Sequence, residues 1–427
     1  MKLGIIADDN TGATDAAGML TQCGARTLLA CGPIGPEADL SAYDAVIIGT
    51  RSRSIDPPEA YRRVAQAAKF LLAAGAEKIQ LKYCSTFDST PQGNIGQSLD
   101  AALEVLGASG AVVVPALPEL GRTTYQGYHF VNNQLLSESP MRDHPLNPMT
   151  DSNLVRWLGF QTRRKISLAP LGAVRQGPAA LEQLIASRIS DGSPYVVVDA
   201  LTDQDLDIIA RATAASPLVS GGSGITAALA RMLFAGRPAL SFARQIAACP
   251  PGTLVISGSM SPSSRAQSAL ACAAGFAEVA VPAGQVVSGE LSAQQVADQA
   301  EGLLRGGKNV LVHSKVDSAD DVGRTQRLGA GRGLTAVQTG ELIAQFLGQV
   351  AKRLVGQAQL GRLVIAGGET SSFVCDTIGA SLMEVGLPLD PGVPYCFPLD
   401  LGRPLLLVLK SGNFGGKDLY SRVANLS

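Results

Sequence analysis

Four stretches of the sequence gather carboxylates, cations and hydroxyls at close spacing: ADDNTGA (7–13), TRSRS (50–54), KYCSTFDSTPQGN (82–94) and PALPELGRTTYQG (115–127). They offer Asp8, Asp9 and Asp88 as acids, Arg51, Arg53, Lys82 and Arg122 as cations, and Ser85, Ser89 and Thr90 as hydroxyls. Guanidinium forks bind a carboxylate at two points, and carboxylates accept hydrogen bonds from hydroxyls, so the set suits a small polyhydroxylated acid. Each residue alone has a plainer role: an Asp ahead of a helix caps it, and a lone cation is a surface charge. The agreement of four stretches is the argument. His144, in MRDHPLNPM (141–149), adds an imidazole that could act as a base or a ligand contact, although a loop histidine is more often structural.

A second set is rich in glycine: SGSMSPSS (257–264), AGGETSS (366–372) and KSGNFGGKD (410–418). Each follows an apolar run and would present backbone N–H groups at a helix amino terminus, where phosphate binds. One glycine turn is weak evidence, since glycine also serves ordinary turns. Three in one half of the chain favour a nucleotide. At Gly412 a side chain is expected to stand where phosphate must approach the backbone.

Two look-alikes fail. GNFGGKD has neither the spacing of a Walker A loop nor its Ser or Thr, because Lys417 is followed by Asp418. Gly222, Gly224 and Ala227 fit a dinucleotide fingerprint, but no Asp or Glu occurs between Asp207 and Glu278, so the ribose-binding acid about 20 residues later is missing. Glycines that pack a helix against a strand explain this stretch better, and a nicotinamide-dependent dehydrogenase is disfavoured.

These loops need a scaffold, and the apolar runs supply one. DAVIIG (44–49), EKIQLK (77–82), AVVVPA (111–116) and YVVVDA (195–200) read as buried parallel strands, separated by helical patterns such as 58–75 and 96–110. The alternation restarts with TLVIS (253–257) and continues through EVAVP (278–282), NVLVH (309–313), RLVIAG (362–367) and PLLLVLK (404–410), with a helix over 336–356. The fold class expected is α/β: two domains, each a mostly parallel sheet flanked by helices, with the active site in the cleft between them. Cys249-Pro250-Pro251-Gly252 cannot continue a regular element, which puts one domain over 1–240 and the other over 250–427. The stretch 123–150 breaks the rhythm and reads as an inserted hairpin and a substrate loop.

Charge and composition narrow the partners. Lys+Arg 35 against Asp+Glu 36 leaves a net charge of −1, so no global field draws nucleic acid or a membrane surface. Seven scattered cysteines lack zinc-site spacing and read as reduced thiols. Asp8 and Asp9 interrupt the first apolar stretch before a secretory signal could form, and no run approaches a membrane span. A cytoplasmic protein is expected, with a homodimer as one assembly open to it.

Taken together, ADDNTGA, KYCSTFDST followed by GN, PALPELGRT, DHPLNPMTDSN, SGGSG, AGGETS and KSGNFGGKD closely resemble the four-carbon acid sugar kinase family, most of all its 3-oxo-tetronate kinases. The resemblance runs over nearly the whole chain, with the motifs in the family's order. It implies an amino-terminal sugar-acid domain, a carboxy-terminal nucleotide domain, and transfer of the γ-phosphoryl of ATP, with Mg²⁺, to the terminal hydroxyl of a C4 sugar acid. It points to Ser257, Gly367, Gly368, Glu369 and Gly412 for ATP, and the same turns add Gly258 and Asn413. Substrate contacts at Arg51, Lys82, Ser89, Arg122 and His144 rest on charge and loop position. Of the carboxylates, Asp8 is expected to act on the acceptor hydroxyl, Asp9 to cap or support the turn, and Asp88 to stand next in line. Related threonate and erythronate kinases carry Arg after the DST motif, whereas this chain has DSTPQGN, which favours the oxo acid. D-threonate, D-erythronate, and a sensor that binds without transfer are the alternatives.

Overall fold

Five consecutive buried residues, LGIIA, make Leu3–Ala7 the strand β1. The computed structural model describes residues 1–35, 38–144, 147–315 and 319–426. The chain divides into two units, Met1–Leu240 and Ser241–Ser427. In the first, β1 is joined by β2 (Thr27–Ala30), β3 (Ala45–Gly49), β4 (Lys78–Lys82) and β5 (Ala111–Val114), then β6 (Arg122–Tyr125), β7 (Tyr128–Val131) and β8 (Gln134–Leu135), then β9 (Ile166–Ala169), β10 (Tyr195–Val198) and β11 (Leu218–Gly221). The order β2-β3-β1-β4-β11-β5-β10-β9 is parallel throughout. Unbroken Val, Ile and Leu runs fit such a sheet because helices cover both faces.

The topology fixes where a ligand can sit. After β1 the chain enters the helix Asn10–Gln22, which packs on Ser223–Leu233, whereas after β4 it enters Ile95–Leu106, which packs on Pro57–Ala73. The connections from the neighbouring strands β1 and β4 thus leave toward different helix pairs, and a crevice opens at their carboxyl ends. Asp8, Asp9 and the 83–94 loop lie at that crevice, with Arg51–Arg53 following β3 beside it. The expected hairpin is present: β6, β7 and β8 form a separate antiparallel sheet. Gly221, Gly222 and Gly224 do pack closely, since a Cβ would meet Val114 O at 2.1 Å, Pro115 O at 2.7 Å and Ala116 O at 2.3 Å, respectively.

In the second unit, β12 (Gly252–Ser257), β13 (Ala277–Pro282), β14 (Val310–Lys315), β15 (Leu360–Ala366), β16 (Leu382–Asp390), β17 (Val393–Pro398) and β18 (Leu406–Lys410) lie in the order β13-β14-β12-β15-β18-β17-β16. The first five are parallel, and β17 runs antiparallel to both β18 and β16. The α/β class with mostly parallel sheets flanked by helices is the one read from the sequence. The antiparallel β16–β17 hairpin was not read. Its signal is Pro391-Gly392, with Gly392 at φ 73°, turning the chain between the two strands.

Candidate active site

Arg53 is the hub of the first unit's crevice. Its Nε donates to Asp8 Oδ2 at 2.8 Å and its Nη2 to Asp8 Oδ1 at 2.9 Å, a two-point fork. The same Nη2 lies 2.9 Å from Asp9 Oδ1, and Nη1 lies 3.9 Å from Asp88 Oδ2. Burial alone would lower the Arg53 pKa, yet Asp8 and Asp9 drive it well above its ordinary value. Asp9 also caps the helix Asn10–Gln22, accepting from the Gly12 N–H at 2.7 Å. Burial would raise its carboxyl, but Arg53, Lys82 and that N–H hold it below the usual range.

Lys82, at the end of β4, explains Gly12. A Cβ at Gly12 would stand 2.0 Å from Lys82 Nζ, so the ammonium occupies the space a side chain would need. Its charge reaches Asp9 and Asp15, opposing the upward push that burial exerts on both carboxyls.

Asp8, the carboxylate expected to act on the acceptor hydroxyl, accepts from Arg53 at both oxygens. Asp88 differs: it is 8% exposed, and its Oδ1 is buried with no hydrogen-bond partner. A buried carboxylate oxygen without a donor costs free energy unless a ligand supplies one. Phe87, buried at φ 55°, holds the loop in a strained conformation immediately ahead of it.

The remaining expected contacts divide. Ser89 is turned inward: its hydroxyl donates to Phe87 O at 2.9 Å and accepts from Trp157 Nε1 at 3.2 Å and Gln161 Nε2 at 3.0 Å. Arg51 has φ 50° and donates to Cys31 O at 3.3 Å. Arg122 Nη1 donates to Leu120 O, while its Nε is buried without a partner. His144 accepts the Asn147 N–H at Nδ1, 3.1 Å, and Asn147 Nδ2 reaches Ser54 Oγ at 3.3 Å, tying this loop to 50–54. Asn94 clamps the same loop, donating to Ser52 O at 2.6 Å and Ile55 O at 2.9 Å.

Two anchors escaped the sequence reading. His129, fully buried on β7, lies 2.8 Å from Ser85 O through Nε2 and 3.0 Å from Thr124 Oγ1 through Nδ1. Facing a carbonyl, Nε2 carries the proton, so Nδ1 accepts from the threonine. Burial pushes its pKa down to about 4, with the Ser85 carbonyl opposing and Arg122 adding to the fall. Asp199, at the end of β10, accepts from the N–H groups of Gln126, Gly127 and Leu171 at 2.7, 2.9 and 3.0 Å. Neither has a local motif, because Ser85 comes to His129 from a loop 44 residues away, and Gln126, Gly127 and Leu171 come to Asp199 from other segments.

In the second unit the three glycine turns interlock. Ser261 Oγ donates to Gly412 O at 2.5 Å and Ser264 Oγ to the same oxygen at 2.9 Å. Lys410, fully buried, reaches Ser264 Oγ at 2.9 Å and Gly412 O at 3.0 Å, and burial lowers its pKa to about 8. The Gly258 N–H donates to Ala366 O and the Gly367 N–H to Lys410 O. A Cβ at Gly258 would meet Thr370 Oγ1 at 2.2 Å, and Gly367 has φ 121°. At Gly412, expected as a place where phosphate approaches the backbone, a Cβ would stand 2.6 Å from Ser259 Oγ, so the neighbouring turn also demands a glycine. Ser257 is buried at the end of β12, Gly368 and Glu369 open the helix Gly368–Ile378, and Glu369 and Asn413 are exposed. No described cluster of three or more His, Cys, Asp or Glu is arranged to hold a metal ion, no disulfide joins any of the seven cysteines, and no described helix is long and apolar enough to cross a membrane.

The comparisons with known proteins agree with this layout. A family model described as a sugar-binding N-terminal domain matches residues 3–229, and one described as a nucleotide-binding C-terminal domain matches 254–420. A 3-oxo-tetronate kinase of Pseudomonas fluorescens is 40% identical over 425 residues, covering 98% of this chain and 96% of that protein. One of Pseudomonas savastanoi pv. phaseolicola is 39% identical over 427 residues with the same coverage. Among solved structures, a Salmonella typhimurium LT2 protein superposes with a TM-score of 0.85 at 34% identity, covering 99% of this chain and 98% of that one. A Haemophilus influenzae protein gives 0.81 at 33%, with 99% of both chains covered. Two matching domains and near-full-length kinase relatives lead to one conclusion: the chain belongs to the four-carbon acid sugar kinase family and is a phosphotransferase.

Proposed function

We propose that the chain transfers the γ-phosphoryl group of ATP to the C4 hydroxyl of a four-carbon sugar acid, and that the acid is 3-oxo-tetronate. The observation that carries this reading is the near-full-length likeness to kinases of that name. The absence of an Arg after DST, as DSTPQGN, supports the oxo acid over D-threonate and D-erythronate. Residues 1–240 then form the sugar-acid domain and 250–427 the nucleotide domain, working in the cytoplasm.

Phosphoryl transfer needs positioning and charge neutralisation more than covalent chemistry. Asp88 Oδ1, buried and lacking a donor, accepts the hydrogen bond of the C4 hydroxyl, orients its oxygen and takes its proton. Arg53 is the positioning residue, keeping Asp8, Asp9 and Asp88 close together without mutual repulsion. Arg51, Lys82, Arg122 and His144 supply the cationic and donor groups for the acid's carboxylate and hydroxyls. The backbone of the three turns, with Ser257, Gly367, Gly368 and Gly412, receives the phosphates. The described carboxylates do not form a metal cage, so Mg²⁺ is assigned to the phosphates it accompanies and no residue here is given to it. A coupled assay of ADP release across 3-oxo-tetronate, D-threonate and D-erythronate tests the reading. Acid-dependent release, fastest with the oxo acid, is expected; nucleotide binding with no acid-dependent release would make the chain a sensor.

A further inference from the structure

Lys82 closes β4 at the crevice, 3% exposed, and its ammonium makes no hydrogen bond or ion pair among the described residues. An enclosed ammonium without acceptors is costly, and a ligand that brings one removes the cost. The surroundings say what kind of ligand. The ammonium fills the space beside Gly12, whose N–H donates to Asp9. Asp15 stands on the same helix, Asn10–Gln22, and helical side chains lean back over the residues three and four before them, here Gly12 and Thr11. Two carboxylates therefore flank Lys82. Its charge acts on both, yet neither closes on it as an ion pair.

Asp15 is fixed from a second helix. Ser223, 3% exposed and the first residue of the helix Ser223–Leu233, donates its hydroxyl to Asp15 Oδ2. Asp15 Oδ1 accepts nothing among the described residues. Burial raises this carboxyl, while Lys82 and the Ser223 hydroxyl favour its ionised form. A group that only donates thus stands beside an oxygen that only accepts, and neither is saturated. The pair matches two adjacent carbons of unlike oxidation state: a carbonyl oxygen takes a hydrogen bond from the ammonium, and a hydroxyl gives one to the carboxylate. Arg53 joins this recess to Asp88, because it touches both Asp88 and Asp9. With the C4 hydroxyl of 3-oxo-tetronate at Asp88, the two carbons are C3 and C2.

We infer that Lys82 and Asp15 form the subsite for the inner carbons of the sugar acid, Lys82 donating to the C3 carbonyl oxygen and Asp15 accepting from the C2 hydroxyl, with Ser223 as the positioning residue of Asp15. The inference rests on the sugar-acid reading of this crevice and deepens it by assigning two of the acid's oxygens.

Coupled ADP release by the full-length protein, with 3-oxo-tetronate and with 4-hydroxy-3-oxobutanoate, which lacks only the C2 hydroxyl, reads each role as kcat/KM. Wild type is expected to prefer the first acid by about tenfold to hundredfold, the range of one hydrogen bond to a charged group. Asp15→Ala should lose about that factor on the first acid and little on the second, which erases the preference. Asp15→Asn keeps the shape and an oxygen for Ser223, and it should narrow the preference even where the alanine variant fails to fold. Ser223→Ala should narrow it less than Asp15→Ala. Lys82→Met should lose activity on both acids alike, because both carry the C3 carbonyl. Equal losses on the two acids in the Asp15 variants, or a wild type indifferent to the C2 hydroxyl, overturn the Asp15 role. Undiminished activity in Lys82→Met overturns the Lys82 role, and release with D-threonate or D-erythronate alone overturns the carbonyl contact. No acid-dependent release with any of these acids overturns the sugar-acid reading itself, and the subsite with it.

Discussion

Arg53 holds Asp8 through a two-point fork, Nε to Oδ2 at 2.8 Å and Nη2 to Oδ1 at 2.9 Å, and the same guanidinium touches Asp9. Removing it leaves two largely enclosed carboxylates facing each other. Arg53→Ala is expected to cost roughly 2–4 kcal/mol of stability and nearly all activity. Arg53→Lys keeps the charge but not the fork, so melting should be partly restored while kcat stays low. Equal kcat in wild type and Arg53→Lys would remove the positioning role.

Asp88→Asn is expected to lower kcat by about 10²–10⁴-fold with binding of ATP and sugar acid retained. Asp8→Asn should act differently, lowering stability and activity together because it loosens Arg53. Asp9→Asn should cost about 1 kcal/mol through the weakened cap, with a further loss from Arg53. Steady-state kinetics and melting on the three variants distinguish them; near-normal kcat in Asp88→Asn would send the base assignment to another residue.

Much of this was legible in the sequence, and the reason is chemical. Continuous short runs rich in Val and Ile, such as AVIIG and YVVV, read as doubly covered strands, and in a parallel sheet the charged residues directly after them gather at one edge. What local sequence could not show was how three carboxylates share one cation, because Arg53 comes from another loop, itself clamped by Asn94. Ser89 looked like a substrate hydroxyl because DST is polar, yet Trp157 and Gln161 draw it inward. The β16–β17 hairpin was obscured by Pro388 and Pro394, which usually argue against strands, and both sit at register irregularities or near the turn.

Gly412→Val is expected to raise the KM for ATP strongly while sugar-acid affinity stays unchanged. The added side chain would displace Ser259 and Ser261 and pull the third turn from the first. A modest drop in melting temperature should accompany it. An unchanged KM would remove these turns from the nucleotide site.

His129 makes stability depend on pH. Its folded pKa, about 4, lies below the ordinary 6.5, so the folded state favours the neutral ring. The unfolded chain binds the extra proton first as pH falls, and stability is lost from about pH 6.5 down toward 4, by about 3 kcal/mol. Burial raises the carboxyls of Asp15 and Asp199, which work in the opposite sense, so the test is a difference. Urea unfolding of wild type and His129→Gln at pH 7 and pH 4.5 should show the larger acid loss in wild type. Equal losses would contradict the assignment.

The central claim is a phosphoryl group delivered from ATP to the C4 oxygen of 3-oxo-tetronate. Phosphorus–proton correlation NMR on the product of that reaction tests it most directly. The account predicts a new phosphomonoester coupled to the two C4 protons, formed in step with ADP and absent when the acid is omitted. ADP and inorganic phosphate appearing with no such ester, at a rate indifferent to the acid, would contradict it.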